Sequence, residues 1–283
     1  MNLNGEDEIE RCAADGAWAR LNQLEDIAET TVTKQLRAFQ APFRDAYEAG
    51  VIVPVLRNKG RATVDVRPAA LFFKRVLNDL RGVWLLLTAG YTSQAASVAA
   101  SLFESALATT CLLQSDDNIA NFHADPHGEI PWSITKMAKM VVQGEGKKPQ
   151  TKEFENSWRA LYAHYSWLCQ IKHSSRGSVM HDTTASTLAE KGYVVMALPN
   201  VREEDVPVKS MVAIISLQRM LECTEAFAHA LGFLETLPND FRFAERFQAA
   251  RDSSWRAFEP HLKALQPISI GKSRFAKKNP PIE

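Results

Sequence analysis

The sequence has no excess of charge of either sign, because 33 lysines and arginines stand against 33 aspartates and glutamates. A protein that coats nucleic acid along its whole surface normally carries a basic excess. The balance therefore excludes a general nucleic-acid coat and leaves only local contacts with RNA or DNA. The acidic run at residues 6–10 and the basic run at residues 272–278 are typical of solvated chain ends.

Cysteine is scarce, and no two cysteines form a CxxC pair. The four that occur are Cys12, Cys111, Cys169 and Cys223. Each has apolar neighbours at helical spacing, which is typical of reduced and buried thiols. The acidic start of the chain also lacks the charged-then-apolar pattern of a secretory signal. These features predict a reducing, cytoplasmic location.

The sequence also lacks a Gly-rich phosphate loop, a Gly-x-Ser-x-Gly elbow, a dinucleotide fingerprint and any internal repeat. One uncharged stretch, residues 83–103, is long enough to cross a bilayer. It contains several threonines and serines and is interrupted at Gly90-Tyr91, which favours two buried helices joined by a tight turn. We therefore expect no membrane span and no cofactor.

What the sequence does contain is a helical pattern, with apolar residues at steps of three and four. The predicted helices span residues 21–50, 68–87, 92–113, 133–142, 151–173, 207–237 and 241–265. Residues 51–66 predict a short hairpin and residues 193–198 a short strand. The predicted fold class is all-α, a helical bundle with short β additions. Its predicted division is N-terminal helices and hairpin at 1–66, a bundle core at 67–267 and a basic flexible tail at 268–283.

The densest group of chemically active side chains comes at the end of the helix predicted over 151–173. Lys172, His173, Arg176 and His181 fall within ten residues. RNA is cleaved without a metal when its own 2′-hydroxyl attacks the adjacent phosphate, which requires proton transfer near neutral pH and a fixed positive charge. Histidine supplies the first and arginine the second. We predict His181 as the acid–base group, Arg176 as the phosphate clamp, and Lys172 and His173 as contacts to adjoining phosphates.

The spacing of the predicted catalytic pair has a structural consequence. Five residues along a helix give about 7.5 Å of rise and a turn of roughly 140°, so Arg176 and His181 do not share one face. A two-fold dimer would bring a second pair into the same cleft. The spacing therefore predicts a homodimer in which the 165–182 segments of two subunits face each other.

Two spaced patterns resemble an uncharacterised bacterial family of helical proteins. Residues 90–95 lead into Ser101-Leu102-Phe103-Glu104, and Tyr165 and His173 follow as Tyr-x7-His. In the family, a GY-x-x-x-A … RSL-x-E helix precedes a Y-x-x-L-S-x-x-x-H helix, and the similarity covers roughly residues 70–175. The family has no established activity, and phage-defence roles are suspected for its relatives. This chain departs from it at Ser101, where the family favours arginine.

The run from Arg176 to His181 also fits Arg-x4-His, the signature of HEPN ribonucleases, which are helical bundles that commonly act as dimers. The chain departs from those nucleases at Gly177, where they usually carry a polar residue, and glycine costs a helix about 1 kcal/mol relative to alanine. The resemblance implies a metal-independent endoribonuclease of a phage-defence or toxin system, with RNA as its substrate.

A non-enzymatic interpretation remains open. Positive side chains such as Lys172 and His173 also favour the exposed carbonyls at a helix end, so the segment could be a helix stop and a loop. The chain would then be a helical sensor or scaffold whose apolar faces bind a partner chain. Glu104 lies in a very apolar helix and needs a partner, because an unpaired buried charge is costly. We expect that partner to be His173 or Arg176, with Tyr165 as a supporting residue.

A metal site is not favoured by the sequence. Glu104, Glu222, Glu225 and His229 could meet in the interior of a bundle, since di-metal carboxylate bundles use inward glutamates. Those proteins need Glu-x-x-His on two helices, and this chain has no such pair. We therefore expect no bound metal.

Overall fold

A computed structural model describes residues 10–54 apart from Cys12 and Asp15, residues 62–172, residues 188–189, 192–193 and 199–232, and residues 249, 251–253 and 256. Within these ranges the chain is a helical bundle, which confirms the all-α prediction. The helices are α1 (Ala17–Gln35), α2 (Arg37–Ile52), α3 (Arg67–Thr88), α4 (Thr92–Leu112), α5 (Asp116–His123), α6 (Ile134–Gly144), α7 (Lys152–Lys172) and α8 (Val206–Ala230). A 3-10 turn, Glu203–Asp205, precedes α8.

Helix α4 is the centre of the bundle and packs against α3, α6, α7 and α8. Its many alanines, such as Ala95 and Ala99, are fully buried, and their small side chains let the neighbouring helices approach closely. By length and composition α4 is apolar enough to cross a membrane, but 72% of its most apolar window is buried inside the protein. The uncharged stretch in the sequence is thus largely explained by a core helix.

The turn between α3 and α4 is tight, as the Gly90-Tyr91 interruption predicts. Gly90 has a φ of 86°, and its carbonyl accepts a 2.9 Å hydrogen bond from the backbone nitrogen of Asn200. A Cβ at this position would lie 2.8 Å from that nitrogen, so the turn depends on glycine twice over. Thr92 has a side chain of the type that suits an N-cap, but it is the first residue of α4. Its hydroxyl donates to Asp205 at 2.6 Å.

The two N-terminal helices join the same core as the later ones. The helix is interrupted at Leu36, between α1 and α2. The buried side chains of Val32, Leu36 and Phe39 belong to one cluster with those of α3, α4 and α8. Helix α2 approaches α8 so closely at Gly50 that a Cβ there would meet the Cε of Met220 at 2.2 Å. The predicted domain boundaries at 66 and 267 stay predictions.

The predicted short β additions are not supported. Val51 and Ile52 end helix α2, and Val53 and Pro54 continue as a 3-10 turn, because the helical pattern extends past Gly50 and proline cannot donate to a sheet. The rest of the predicted hairpin lies partly outside the described residues. Of the predicted strand at 193–198, residues 194–198 lie outside the described residues. The two-residue strands β1 (Leu188–Ala189) and β2 (Gly192–Tyr193) pair antiparallel, and they are too short to form a β layer.

Candidate functional site

The structure describes only some of the residues that the sequence predicts for the site. The predicted catalytic pair, Arg176 and His181, and the predicted phosphate contact His173 lie outside the described residues. Lys172, the second predicted phosphate contact, is the last residue of α7, and its side chain is exposed. The supporting residues Glu104 and Tyr165 are described, so the site is built here from the elements that lead into the 173–182 segment.

Glu104 and Tyr165 meet at the seam between α4 and α7. The Tyr165 hydroxyl donates to Oε1 of Glu104 at 2.6 Å, and the Tyr165 ring lies 5.7 Å from the ring of Phe103. Burial raises the pKa of Tyr165, and its hydrogen bonds to Glu104 and Cys169 raise that pKa further, so the phenol stays protonated as a donor. The pairing of Glu104 with His173 or Arg176 stays a prediction.

Tyr165, Cys169 and Lys172 follow one another at steps of four and three along the last two turns of α7. They therefore share a face of the helix. Burial raises the pKa of Cys169, against the opposing effects of the Tyr165 hydroxyl and the Lys172 charge. A thiol held in its protonated form is a poor nucleophile. This face of α7 therefore contacts α4 through Tyr165 and places the charge of Lys172 at the end of the helix.

A second polar cluster lies where α4, α7 and α8 meet, and the sequence did not predict it. Arg219 of α8 is 4% exposed and forms a two-pronged ion pair with Glu222, with N–O distances of 2.6 and 2.7 Å. Its guanidinium carbon lies 5.3 Å from the centre of the Phe103 ring. The sequence signal is an arginine and a glutamate three residues apart within a mostly apolar helix.

His164 of α7 belongs to the same cluster. Burial, reinforced by the nearby charge of Arg219, lowers the pKa of His164 to about 4. Its Nδ1 atom is buried without a hydrogen-bond partner among the described residues, and so is Nε of Arg219. At neutral pH this imidazole is uncharged, and it cannot act as a proton donor in the way that an ordinary surface histidine can.

A cavity of about 760 Å³ opens beside this cluster, between α4, α6 and α8. Glu222, Glu225 and His229 line it, but Glu104 does not. Within the part of the chain that the structure describes, no group of three or more His, Cys, Asp or Glu side chains could hold a metal ion. The set of four residues considered for a metal is therefore not brought together. Glu222 forms an ion pair with Arg219. Burial raises the pKa of its carboxyl, and the charge of Arg219 opposes that shift.

A second cavity, of about 790 Å³, lies between α2 and α3 and is called here the α2–α3 groove. Arg37 and Arg44 of α2 and Arg81 of α3 line it. The aromatic residues Phe43, Tyr47 and Trp84 also line it. The rings of Phe43 and Trp84 are 5.0 Å apart, and Tyr47 is 39% exposed. The sequence patterns do not indicate this groove, because its residues come from two separate helices.

The sequence matches no known protein family, no curated protein and no solved structure at a significant level. The fold class and the candidate site are therefore inferred from the structure alone. The structure has an all-α bundle with a core helix, a Tyr–Glu contact in the last two turns of α7, and two cavities.

Proposed function

We propose that this protein is a cytoplasmic, metal-independent endoribonuclease that acts as a homodimer, with Arg176 and His181 as its catalytic pair. The observation that supports the proposal is the 2.6 Å hydrogen bond between Tyr165 and Glu104. It attaches the end of α7 to the core helix α4, so that the chain enters the 173–182 segment from a fixed point. Catalytic groups need such a rigid support to keep a productive geometry.

The electrostatics of the described residues favour the same assignment. Acid–base catalysis at neutral pH needs a group whose pKa is near 7. The pKa of His164 is lowered to about 4, and those of Tyr165 and Cys169 are raised, so none of the three suits that role. Histidine ordinarily titrates near neutral pH, and we assign the role to His181, which follows Arg176 at Arg-x4-His spacing.

In the proposed reaction, His181 removes the proton from the 2′-hydroxyl of RNA, and the 2′-oxygen attacks the adjacent phosphorus. The bond from phosphorus to the 5′-oxygen breaks, and the leaving oxygen takes up a proton from an imidazolium. The products are a 2′,3′-cyclic phosphate and a 5′-hydroxyl. Arg176 stabilises the charge that develops on the phosphoryl oxygens, while Lys172 and His173 hold neighbouring phosphates.

The test is cleavage of a fluorophore- and quencher-labelled RNA in the presence of EDTA. Loss of an acid–base group typically costs 10²- to 10⁴-fold in rate, so His181→Ala is expected to lower cleavage at least about 100-fold. Arg176→Lys keeps the charge and loses the two-pronged geometry, and it should retain part of the activity. His127→Ala, at an exposed position before α6, is the matched control. Full activity of His181→Ala, or loss of parental activity in EDTA, would refute the proposal.

The biological setting rests on the resemblance to HEPN nucleases and to the bacterial helical family. We propose a role in phage defence or as a toxin. If it acts as a toxin, induced expression of the parent protein should stop bacterial growth, and expression of folded His181→Ala should not. Growth arrest by both proteins at equal levels would separate toxicity from RNA cleavage.

A non-enzymatic scaffold is the second candidate, and exposed apolar side chains on α3 favour it. Leu71 is 71% exposed and Leu85 is 49% exposed, and the two lie fourteen residues apart on one side of the helix. Such residues can anchor a partner chain. In this case Leu71→Lys with Leu85→Lys should abolish the cellular effect while His181→Ala leaves it intact, which is the opposite of the ribonuclease expectation.

A further inference from the structure

We infer that the α2–α3 groove binds single-stranded RNA. The inference rests on the proposed ribonuclease function, because it gives that enzyme a surface for its substrate outside the 173–182 segment. Nothing in the sequence patterns points to this groove. It follows from the charges and rings that the fold brings together there.

The groove is locally positive in a chain whose formal charge is zero. Arg37 and Arg44 are seven residues apart, so they lie on one face of α2 about 10.5 Å apart along the axis. Arg81 comes from α3. Arg44 pairs with Asp45 at 2.8 Å, whereas Arg37 and Arg81 form no ion pair within the part of the chain that the structure describes. Glu48 is the one carboxylate among the residues that line the groove.

Three aromatic side chains line the groove together with these arginines. Phe43 is buried and supports Trp84, which is only partly buried and lines the groove. Tyr47 is 39% exposed on the same side of α2, five residues before the end of the helix. Bases stack on such rings with about 1–3 kcal/mol per base, and the contact needs bases that are not paired. Free phosphate or an acidic peptide would use the arginines and leave the rings without a role.

Charge and rings together therefore match the chemistry of an unpaired RNA strand. Arginines contact the phosphates, and aromatic faces accept the bases. The groove is a local surface, which is the kind of nucleic-acid contact that the balanced charge of the chain allows. The cavity volume of about 790 Å³ is in the range of sites that enclose small ligands, so it can receive a short part of a strand at a time.

The binding test uses the full-length His181→Ala protein, so that the RNA stays intact, and fluorescence anisotropy of a labelled oligouridine. Arg37→Glu with Arg81→Glu should weaken binding at least about 30-fold. Loss of two phosphate contacts should also lower the slope of log K against log salt by about 1.4. The matched control is Lys136→Glu with Lys152→Glu, which reverses two exposed charges on α6 and α7. Equal weakening by the control pair would overturn the assignment of the groove.

The stacking contribution has its own test. Tyr47→Ala should weaken binding about tenfold, and Tyr47→Phe, which keeps the ring, should bind like the parent. Duplex RNA of the same length should bind less tightly than the single strand, because its bases are paired. The single-strand assignment is wrong if the duplex binds equally well or if Tyr47→Ala has no effect. Since Tyr47 is exposed, Tyr47→Ala is expected to fold normally.

Cleavage assays separate this inference from the proposed function. If Arg37→Glu with Arg81→Glu, in a protein that retains His181, cuts RNA with the parental kcat/KM, the groove is not the docking surface and the ribonuclease proposal stands. If the parent cuts no RNA, yet the same charge reversals abolish its binding of the single strand, the ribonuclease proposal fails and the groove assignment stands.

Discussion

The contact between Tyr165 and Glu104 gives the sharpest test of how α7 is attached to the core. Tyr165→Phe removes only the hydroxyl that donates to Glu104 at 2.6 Å. A hydrogen bond to a charged acceptor contributes about 1.5–3 kcal/mol. Both side chains are only partly buried, so we expect the lower end of that range, a loss of about 1.5 kcal/mol in the free energy of unfolding.

The measurement is urea unfolding of the parent, Tyr165→Phe, Glu104→Leu and the double variant. The coupling energy between the two positions isolates their interaction, and we expect it to exceed about 1 kcal/mol. Tyr162→Phe is the matched control. Tyr162 is also partly buried on α7, and no hydrogen bond of its hydroxyl is present among the described residues. A coupling below about 0.3 kcal/mol, or an equal loss in Tyr162→Phe, would refute the view that this bond holds the helix end.

Two further predictions concern buried ionisable groups. Because the pKa of His164 is lowered to about 4, the unfolded chain binds more protons than the folded chain between about pH 4 and 6.5. The free energy of unfolding should therefore fall as the pH drops through that window, by up to about 3 kcal/mol. In urea unfolding, His164→Gln should show a smaller fall than the parent. His127→Gln, at an exposed position, should behave like the parent. Lys209 is completely buried, with Nζ 2.6 Å from Oδ2 of Asp205. Lys209→Met should lower stability by about 3–5 kcal/mol, because it removes the lysine that pairs with the buried carboxylate of Asp205. Adding Asp205→Asn should restore part of the loss, and an equal loss in the single and double variants would contradict this account.

Most of the fold could be predicted from the sequence because helix periodicity is a local signal. The turn at Gly90 and the helix that begins near Thr151 follow from residues that are neighbours along the chain. Departures from local preference have two causes, a contact with a distant part of the chain and a helical pattern that extends further than expected. Thr92 is a good N-cap by type, but its hydroxyl binds Asp205, 113 residues away. Residues 51–53 have strand-forming side chains, but they continue α2.

The candidate site was predictable only in part, for the same reason. Glu104 and Tyr165 could be singled out because each belongs to a spaced pattern, but the sequence did not indicate that they contact each other. The pairing of Glu104 with His173 or Arg176 stays a prediction. His164 lies on α7, and Arg219 and Glu222 lie on α8. The cluster forms only when both helices are oriented about their axes so that these side chains face each other, and helical periodicity does not determine that orientation. The α2–α3 groove likewise joins Arg37 to Arg81 across a helix pair.

The departure at Ser101 from the arginine that the similar bacterial family favours has a counterpart in this structure. Nη2 of Arg75, on α3, donates to the Ser101 hydroxyl at 2.9 Å, and that hydroxyl donates to Asp79 at 2.9 Å. A guanidinium thus still lies at position 101, one helical turn before Glu104, although a neighbouring helix contributes it. Because α4 is otherwise a core helix, its polar contacts at 101 and 104 bind it to α3 and α7 respectively.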